Sequence, residues 1–303
     1  MTSKTIRNVM RRFIKNVYRA LPLKQEAFTL LKKVWSPPET IYRHLHFRGT
    51  IKVPVTKEQS FQMHHYGHPV ENDLFWSGLY GNWEQHSMKL WARLSKHSSV
   101  IFDIGANTGV YTMVSKTVNP AASLHAFEPF GAVFDKFLLN AQLNKFNVTA
   151  NNLAVSNYTG DAVIYTEFED FAYSVTVNQN LWVKDKEAFK MEIKTITLRD
   201  YIESNKLTNI DLMKIDVETH EPEVMEGFGE YLIGFKPIML IEILNEDIAE
   251  KLNSYFSPNS YRFYNIDEKN GMKKVSRLTK SDFYNFLIVP NEKAEWYDSI
   301  MKS

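Results

Sequence analysis

The 303-residue sequence contains no cysteine, and this absence excludes disulfide bonds, thiolate zinc sites and a cysteine nucleophile. No apolar run reaches the ~20 residues needed to span a bilayer. Basic residues interrupt any apolar signal segment near the N-terminus: Arg7, Arg11, Arg12, Lys15 and Arg19. The net charge is only +1, so the protein as a whole does not steer toward polyanions, and no nucleic-acid partner is expected. These absences favour a cytoplasmic protein.

The small net charge hides an asymmetry. Residues 1–48 hold 11 Lys and Arg against 2 acids, whereas the chain from residue 49 onward holds 25 basic and 33 acidic residues. Apolar side chains recur at helical spacing over residues 4–21, with Arg and Lys on the other face, which predicts a basic amphipathic helix. Such a helix either lies on an anionic membrane surface, docks against a partner, or packs on its own domain.

We expect three parts in the chain. Residues 1–48 form the basic extension, residues 49–96 a small N-terminal module, and residues 97–303 the main domain. An apolar fraction of 44% favours a packed globule over disorder. Two short strands and a helix are predicted in or beside the module, at residues 46–55, 60–66 and 84–94.

From residue 97 onward, short apolar segments alternate with helical ones. This alternation is typical of a doubly wound α/β domain, in which crossover helices join parallel strands. The predicted strands are 100–104, 123–127, 148–155, 210–217, 237–243, 261–266 and 283–289, and the predicted helices include 109–118 and 130–144. A polar insertion at 160–197 carries two hairpin-like runs. The last two strands lack a long intervening helix, which is compatible with antiparallel pairing.

A turn of small residues follows the first of these strands, in the segment Val-Ile-Phe-Asp-Ile-Gly-Ala-Asn-Thr-Gly at 100–109. Gly105 and Gly109 allow the backbone to approach a ligand closely, and the following helix offers free amide donors. Asp103 at the strand end would repel a pyrophosphate but would pair with an ammonium group. The expected ligand-binding residues are Asp103, Gly105, Ala106, Asn107, Thr108 and Gly109. Taken alone, the turn is also compatible with a tight strand-to-helix connection that binds no ligand.

A second acid stands at the end of the next strand, in Phe127-Glu128-Pro129. A carboxylate there accepts hydrogen bonds from both hydroxyls of a ribose, and Pro129 fixes the turn. A nucleoside that bears an amino acid satisfies Asp103 and Glu128 together, which describes S-adenosylmethionine. NAD is the competing ligand, but the sequence lacks its G-x-G-x-x-G fingerprint.

A third group of polar residues follows the strand at 210–217. Asp216 and Glu218 are expected at the carboxyl edge of the sheet, where ligands of α/β proteins bind, with His220 and Glu221 at the start of the next helix. The helix dipole favours acids in its first turn, which gives Glu221 a purely structural explanation.

These blocks together resemble the FkbM family of methyltransferases. The resemblance covers about residues 97–245 and includes Asp103 to Gly109, Phe127 to Pro129, Asn140 with Asn144, and Lys214 to Glu218 with Glu221 and Gly227. It implies a class I methyltransferase fold, Rossmann-like, with a mostly parallel seven-stranded sheet. It also implies S-adenosylmethionine as cofactor, held by the residues above with Ala154 and Asp216, and O-methylation of a sugar or secondary-metabolite hydroxyl. Two departures bear on the substrate: Glu218-Thr219 stands where many members read Glu-Gly, and Thr219-His220 replaces a small-apolar pair.

An alcohol needs a base to remove its proton, and His220 is the first candidate because its ordinary pKa lies near neutrality. Glu218 and Glu221 are the second candidates, and a role for His220 in packing the helix start is the alternative. We expect no metal. A magnesium or calcium ion between Asp216, Glu218 and Glu242 is the alternative, since carboxylate oxygens suit these ions.

Two other functions remain open: a nicotinamide-dependent oxidoreductase, and an inactive cofactor-binding subunit of a glycan-assembly complex. Acceptor specificity is expected in the N-terminal module, in the 160–197 insertion and in the C-terminal strands. In the insertion, Phe168, Phe171, Tyr173 and Trp182 supply aromatic surface that stacks on a sugar ring or fills core. The acceptor's identity and the oligomeric state are not predicted.

Overall fold

A computed structural model describes residues 23–166 and 189–302. The predicted amphipathic helix at 4–21 and the four aromatic residues of the insertion lie outside the described residues. Within the described residues, no helix is long and apolar enough to cross a membrane.

The chain divides into two compact units, each of which is described by itself. The first contains the described part of Met1–Val53 together with Gln62–Trp83. Its helices are α1 (Lys24–Val34), α2 (Glu39–Tyr42) and α3 (Pro69–Trp76), and it holds most of a hairpin formed by β1 (Gly49–Pro54) and β2 (Ser60–His65). The predicted pair of strands is therefore confirmed. Aromatic rings form its centre, with the Phe28 ring centroid 6.1 Å from that of Phe47 and 5.5 Å from that of Trp76.

The second unit contains Pro54–Phe61 and the described part of Glu84–Ser303, and it is built on one large sheet. In spatial order its eight strands are β12, β11, β13, β10, β9, β3, β4 and β5. Their bounds are β3 (Val100–Ile104), β4 (Ser123–Phe127), β5 (Thr149–Asn151), β9 (Leu212–Ile215), β10 (Ile238–Glu242), β11 (Tyr261–Asp267), β12 (Gly271–Val275) and β13 (Asn285–Pro290). The five neighbouring strands β5, β4, β3, β9 and β10 pair in parallel. Strand β13 pairs antiparallel with β10, β11 with β13, and β12 with β11.

This topology confirms the doubly wound, mostly parallel fold of a class I methyltransferase. The sheet has eight strands rather than the predicted seven, because β11 turns back into β12 at Asp267 to Gly271. The predicted strand at 148–155 is two short strands: β5 ends at Asn151, and β6 (Ala154–Val155) joins a second sheet. That second, three-stranded sheet also contains β7 (Gly160–Thr166) and β8 (Phe189–Ile196), so the hairpin-like runs of the insertion are confirmed.

Helices cover the sheet and connect its strands. Their bounds are α4 (Gln85–Ser95), α5 (Val110–Val118), α6 (Gly131–Leu143), α7 (Leu198–Asn205), α8 (Glu221–Phe228), α9 (Glu230–Phe235), α10 (Glu246–Asn253) and α11 (Ala294–Lys302). The side chains of Phe102, Met213 and Ile241 belong to the main apolar core, which also includes residues of α7, α8 and α10. Because side chains alternate along a strand, the residues between these core positions face the other side of the sheet, toward the candidate site.

Candidate functional site

The candidate site lies at the carboxyl ends of the parallel strands in the second unit. In the sheet register Asp103 stands beside Ala126 on one side and Lys214 on the other. Residues that are side by side in a register share a face, and so do residues two apart along a strand. Glu128 and Asp216 therefore follow on the same face as Asp103, and the structure places the predicted acids at one edge of the sheet.

The glycine turn brings the backbone of β3 close to that of β9. Gly105 has φ +80°, and a Cβ atom there would lie 1.8 Å from the carbonyl oxygen of Asp216, so only glycine fits. Asn107 also takes a left-handed conformation, with φ +49°. Gly109 is the N-cap residue of α5 and has no side chain to occupy the amides that begin the helix. The backbone N–H groups of the turn itself already have acceptors: Gly105 and Ala106 donate to the carbonyl oxygen of Phe127, Asn107 to Glu128, and Thr108 to the side chain of Asn107.

Glu128 is held by the backbone on both of its oxygens. Oε2 accepts the N–H of Asn107 at 2.9 Å, and Oε1 accepts the N–H of Phe130 at 2.9 Å. Burial raises the pKa of Glu128 to about 7, although both amides favour the charged form. Each carboxylate oxygen accepts more than one hydrogen bond, so this fixed geometry leaves acceptor capacity for two ribose hydroxyls.

Asp103 is more deeply buried, with 1% of its surface exposed. Its Oδ2 accepts the hydroxyl hydrogen of Thr112 at 2.6 Å. Burial raises the pKa of Asp103 to about 6, and the carboxylate of Asp216 acts in the same direction. An ammonium group at this position would relieve that cost, because it would pair with the buried carboxylate.

A lysine that the sequence analysis did not assign occupies the centre of the site. Lys214 is 1% exposed, and its Nζ lies 2.9 Å from Oδ2 of Asp216. Burial alone would lower the pKa of Lys214, but the carboxylates of Asp216, Glu84 and Glu242 raise it above its ordinary value. A charged residue inside the apolar strand Leu-Met-Lys-Ile is the sequence signal that could have identified it.

Glu84 is a second site residue outside the predicted set. It precedes α4, and its Oε2 accepts the hydroxyl hydrogen of Tyr111, whose ring centroid lies 5.0 Å from Nζ of Lys214. Burial raises the pKa of Glu84 to about 7, while Lys214 acts in the opposite direction. No motif marks Glu84 in the sequence, because it lies well before the glycine turn.

Glu242, at the end of β10, extends the group of acids to the next strand. Burial is the main cause that raises the pKa of Glu242 to about 9, and the negative charge of Asp216 adds to this shift. At neutral pH it therefore carries a proton, which it can donate to Asp216. Among the residues with described positions, no group of three or more histidines and acids is arranged to hold a metal ion, and this includes the alternative set Asp216, Glu218 and Glu242.

The three predicted base candidates lie in the segment that follows β9. His220 is the N-cap residue of α8; its Nε2 lies 2.9 Å from Oγ of Ser156 and its Nδ1 lies 3.6 Å from Oε2 of Glu223. Burial lowers the pKa of His220, and Glu223 opposes the shift. Burial raises the pKa of Glu221 to about 8, and its Oε1 accepts the N–H of Val217 at 3.2 Å. The roles of His220, Glu218 and Glu221 as bases stay predictions.

The remaining predicted cofactor residues lie in the glycine turn, directly after β4 and in β6. Asn152 donates from Nδ2 to the carbonyl oxygens of Glu128 and Pro129, at 2.8 and 3.1 Å, which holds the end of β4. Ala154 lies in β6 and packs against a small apolar cluster that includes Phe130. Thr108 offers its carbonyl oxygen to Nδ2 of Asn140 at 2.8 Å, so the Asn140 of the resemblance braces the turn from α6.

A sequence model of the methyltransferase FkbM domain matches residues 103–263, more than half of the chain. The chain belongs to the FkbM methyltransferase family. The match begins at Asp103 and includes Glu128, Asp216 and Glu242, whereas Glu84 lies outside it. The resemblance read from the four sequence blocks is thereby confirmed.

Curated methyltransferases are similar to this protein over part of the chain. The hexuronic acid methyltransferase AglP of Haloferax volcanii is 27% identical over 149 residues, which are 49% of this chain and 58% of the relative. The 31-O-demethyl-FK506 methyltransferase FkbM of Streptomyces tacrolimicus is 26% identical over 152 residues, 42% of this chain and 58% of the relative. The chain thus spans about three-fifths of the length of these relatives. A solved FkbM structure from Methylobacillus flagellatus KT matches at a TM-score of 0.36 and 15% identity, over 63% of this chain and 43% of that chain.

Proposed function

We propose that the protein is an S-adenosylmethionine-dependent methyltransferase that acts on a hydroxyl group of a sugar or secondary metabolite. The observation that carries this proposal is the pairing of Asp103 and Glu128 on one face of two adjacent strands, on either side of the glycine turn. An acid for an ammonium group and an acid for a ribose fit the two ends of this cofactor. The same arrangement disfavours NAD, because Asp103 stands where a pyrophosphate would approach.

When bound, the cofactor supplies a methyl group on a sulfonium. The residues of the chain position it: Glu128 accepts the ribose hydroxyls, and Asp103 pairs with the ammonium group. Transfer of this methyl group would leave S-adenosylhomocysteine, and a side-chain base of the chain would take the proton of the acceptor hydroxyl. Holding the reacting atoms in line and excluding water contribute most of the rate enhancement of such a displacement.

Two relatives support a hydroxyl acceptor. The printed name of the Haloferax volcanii protein gives a hexuronic acid as its substrate, and that of the Streptomyces tacrolimicus protein gives an O-demethyl compound. Both names describe acceptors that carry hydroxyl groups.

Calorimetric titration tests the proposed cofactor. The protein should bind S-adenosylmethionine and S-adenosylhomocysteine with micromolar dissociation constants and should not bind NAD. Methyl transfer from labelled cofactor to a panel of glycans and hydroxylated metabolites then tests the reaction. Binding of NAD, or no binding of either adenosyl compound, would contradict the proposal.

The candidate base is tested separately. If His220 removes the acceptor proton, His220→Ala should lower kcat by about 10²-fold or more with little change in cofactor affinity. Ser156→Ala is the matched control, because it removes only the hydroxyl at 2.9 Å from Nε2. Unchanged turnover in His220→Ala would leave this residue a packing role at the start of α8.

A further inference from the structure

One buried amide oxygen near the proposed site has no hydrogen-bond donor. Asn285, the first residue of β13, is 5% exposed, and no described residue donates to its buried Oδ1. Burying such an oxygen without a donor costs free energy, so proteins rarely keep one without a reason. The sequence analysis predicted only an apolar strand in this region.

The sheet register shows where this side chain lies. Asn285 stands directly opposite Glu242 in the antiparallel pair of β13 and β10. Opposed residues share a face, with Cβ atoms about 5 Å apart. Glu242 in turn interacts with Asp216. Asn285 is therefore the next polar side chain along the same edge of the sheet.

The order of the strands assigns the two ends of this edge. In order across the sheet, the polar positions are Glu128 after β4, Asp103 on β3, Asp216 after β9, Glu242 on β10 and Asn285 on β13. Neighbouring strands lie about 4.8 Å apart. With the nucleoside at Glu128 and the amino-acid end at Asp103, the ends of β10 and β13 are left for the acceptor.

The charge of the site limits what the acceptor carries. Carboxyl groups of Asp216, Glu84 and Glu242 surround Lys214, whose charge is already taken by Asp216 at 2.9 Å. A carboxylate on the acceptor would meet the carboxylate of Asp216, which has the same sign, and would find no free cation at Lys214. A neutral hydroxyl meets no such penalty and supplies the donor that Oδ1 of Asn285 lacks.

We propose that Asn285 and Glu242 form the acceptor subsite, and that it takes an uncharged ring with at least two hydroxyl groups. One hydroxyl lies at Glu242 and is the methyl acceptor, and a second donates to Oδ1 of Asn285. This inference rests on the proposed function. It separates the protein from its Haloferax volcanii relative, whose printed substrate is a hexuronic acid.

Binding to the full chain saturated with S-adenosylhomocysteine tests the subsite without requiring turnover. The neutral probes are the methyl glycosides of glucose, galactose and mannose. The charged probes are the methyl glycosides of the corresponding hexuronic acids, with the carboxylate free, and all are titrated by calorimetry or saturation-transfer NMR. At least one neutral glycoside should bind about 10-fold tighter than its hexuronide, which corresponds to ~1.4 kcal/mol. Asn285→Leu should weaken the binding of that glycoside by about 10-fold and leave the dissociation constant of S-adenosylhomocysteine unchanged within about two-fold.

The melting temperature, Tm, is a second measurement. If Asn285 only stabilised the fold, replacing it would lower Tm, whereas the proposed subsite predicts the opposite. Without ligand, Asn285→Leu should raise Tm by about 2 °C or more, because it removes a buried oxygen without a donor. Asn265→Leu on β11 is the matched control. Its Nδ2 donates to the carbonyl oxygen of Phe283 at 2.7 Å and its Oδ1 accepts from Ser281 at 2.9 Å, so this change should lower Tm.

The outcomes separate the two proposals. If the wild-type chain fails to bind S-adenosylhomocysteine, the proposed function is wrong. If it binds S-adenosylhomocysteine but binds no neutral glycoside, prefers the hexuronides, or keeps its glycoside affinity in Asn285→Leu, the acceptor subsite alone is wrong. A lower Tm in unliganded Asn285→Leu would also contradict it.

Discussion

At the scale of single residues, Lys214 balances the buried acids of the site. Its Nζ pairs with Asp216 at 2.9 Å, and Glu84 and Glu242 also stabilise its charge. Removing one partner of a buried ion pair leaves an uncompensated charge, at a cost of about 3–5 kcal/mol. We expect Lys214→Met to lower the free energy of unfolding by this amount at pH 8 and by less at pH 6, because burial raises the pKa of Glu84 to about 7 and this acid is protonated at the lower pH. Denaturant unfolding at the two pH values measures the difference.

Lys116 offers a matched control for this prediction. It is also buried, at 3% exposed, but its Nζ donates to the carbonyl oxygens of Pro120 and Ala122, at 2.6 and 2.9 Å. Lys116→Met leaves no carboxylate unpaired, so its effect should be smaller and should vary little between pH 6 and 8. Equal losses in the two variants would show that Lys214 is not an electrostatic partner of the acids.

The sequence predicted the acids of the site better than their neighbours. Asp103 and Glu128 end apolar strands, so their place at the sheet edge follows from the alternation of strand and helix. Glu84 and Asn285 come from segments far away in the chain, and only the folded sheet brings them to the edge. For Lys214 the sequence showed the unusual buried charge but not the acids that neutralise it.

At the scale of elements, the connection between β9 and α8 holds a strained backbone. Glu218 and Thr219 have φ +53° and +76°, a left-handed region that a β-branched residue rarely adopts. Oγ1 of Thr219 is also buried, and no described residue hydrogen-bonds to it. We expect Thr219→Gly to raise the free energy of unfolding by about 0.5–1 kcal/mol, because relief of strain exceeds the entropy cost of glycine. Chemical denaturation measures this change.

Thr197 is the matched threonine for this test. It has φ −78° and caps α7, where its hydroxyl oxygen accepts the N–H of Asp200 at 2.9 Å. Thr197→Ala should lower the free energy of unfolding by about 1 kcal/mol. If Thr219→Gly is as destabilising as Thr197→Ala, the threonine at position 219 stabilises the connection rather than straining it.

Element boundaries were predicted where apolar runs are long and bounded. Strands β3 and β4 were predicted at their observed bounds, because each is an apolar run that ends at a charged or glycine-rich turn. β12 was missed, since Met272, Lys273 and Lys274 give it no apolar alternation. The predicted strand at 148–155 divides at Asn152, whose side chain bonds to the end of β4 instead.

At the scale of the whole molecule, buried acids make stability depend on pH. Burial raises the pKa of Asp103 to about 6, of Glu84 and Glu128 to about 7, of Glu221 to about 8 and of Glu242 to about 9. The folded chain then binds more protons than the unfolded chain, so the free energy of unfolding falls as pH rises through these values. Each group still protonated contributes up to about 1.4 kcal/mol per pH unit.

Calorimetry of the unliganded protein checks this dependence. His220 acts in the opposite direction only below its ordinary pKa of 6.5, since burial lowers its pKa in the folded chain. Tm should therefore fall steadily between about pH 6.5 and 9. Glu221→Gln removes one contributing group and should reduce the slope up to about pH 8. A constant or rising Tm over this range would show that these acids are ionised in the folded protein.

The proposed function depends most on the pairing of Asp103 with the ammonium group of S-adenosylmethionine. The most direct test compares S-adenosylhomocysteine with 5′-methylthioadenosine, which lacks the amino-acid end, in wild type, Asp103→Asn and Glu128→Gln. Calorimetry should show that Asp103→Asn weakens the binding of S-adenosylhomocysteine by about 10-fold or more, because one charge-assisted hydrogen bond is lost. The binding of methylthioadenosine should weaken by less than about two-fold, because this ligand has no ammonium group. Glu128→Gln should weaken the binding of both ligands by the same factor. An equal effect of Asp103→Asn on the two ligands, or no effect on either, would contradict the proposed pairing of Asp103 with the ammonium group.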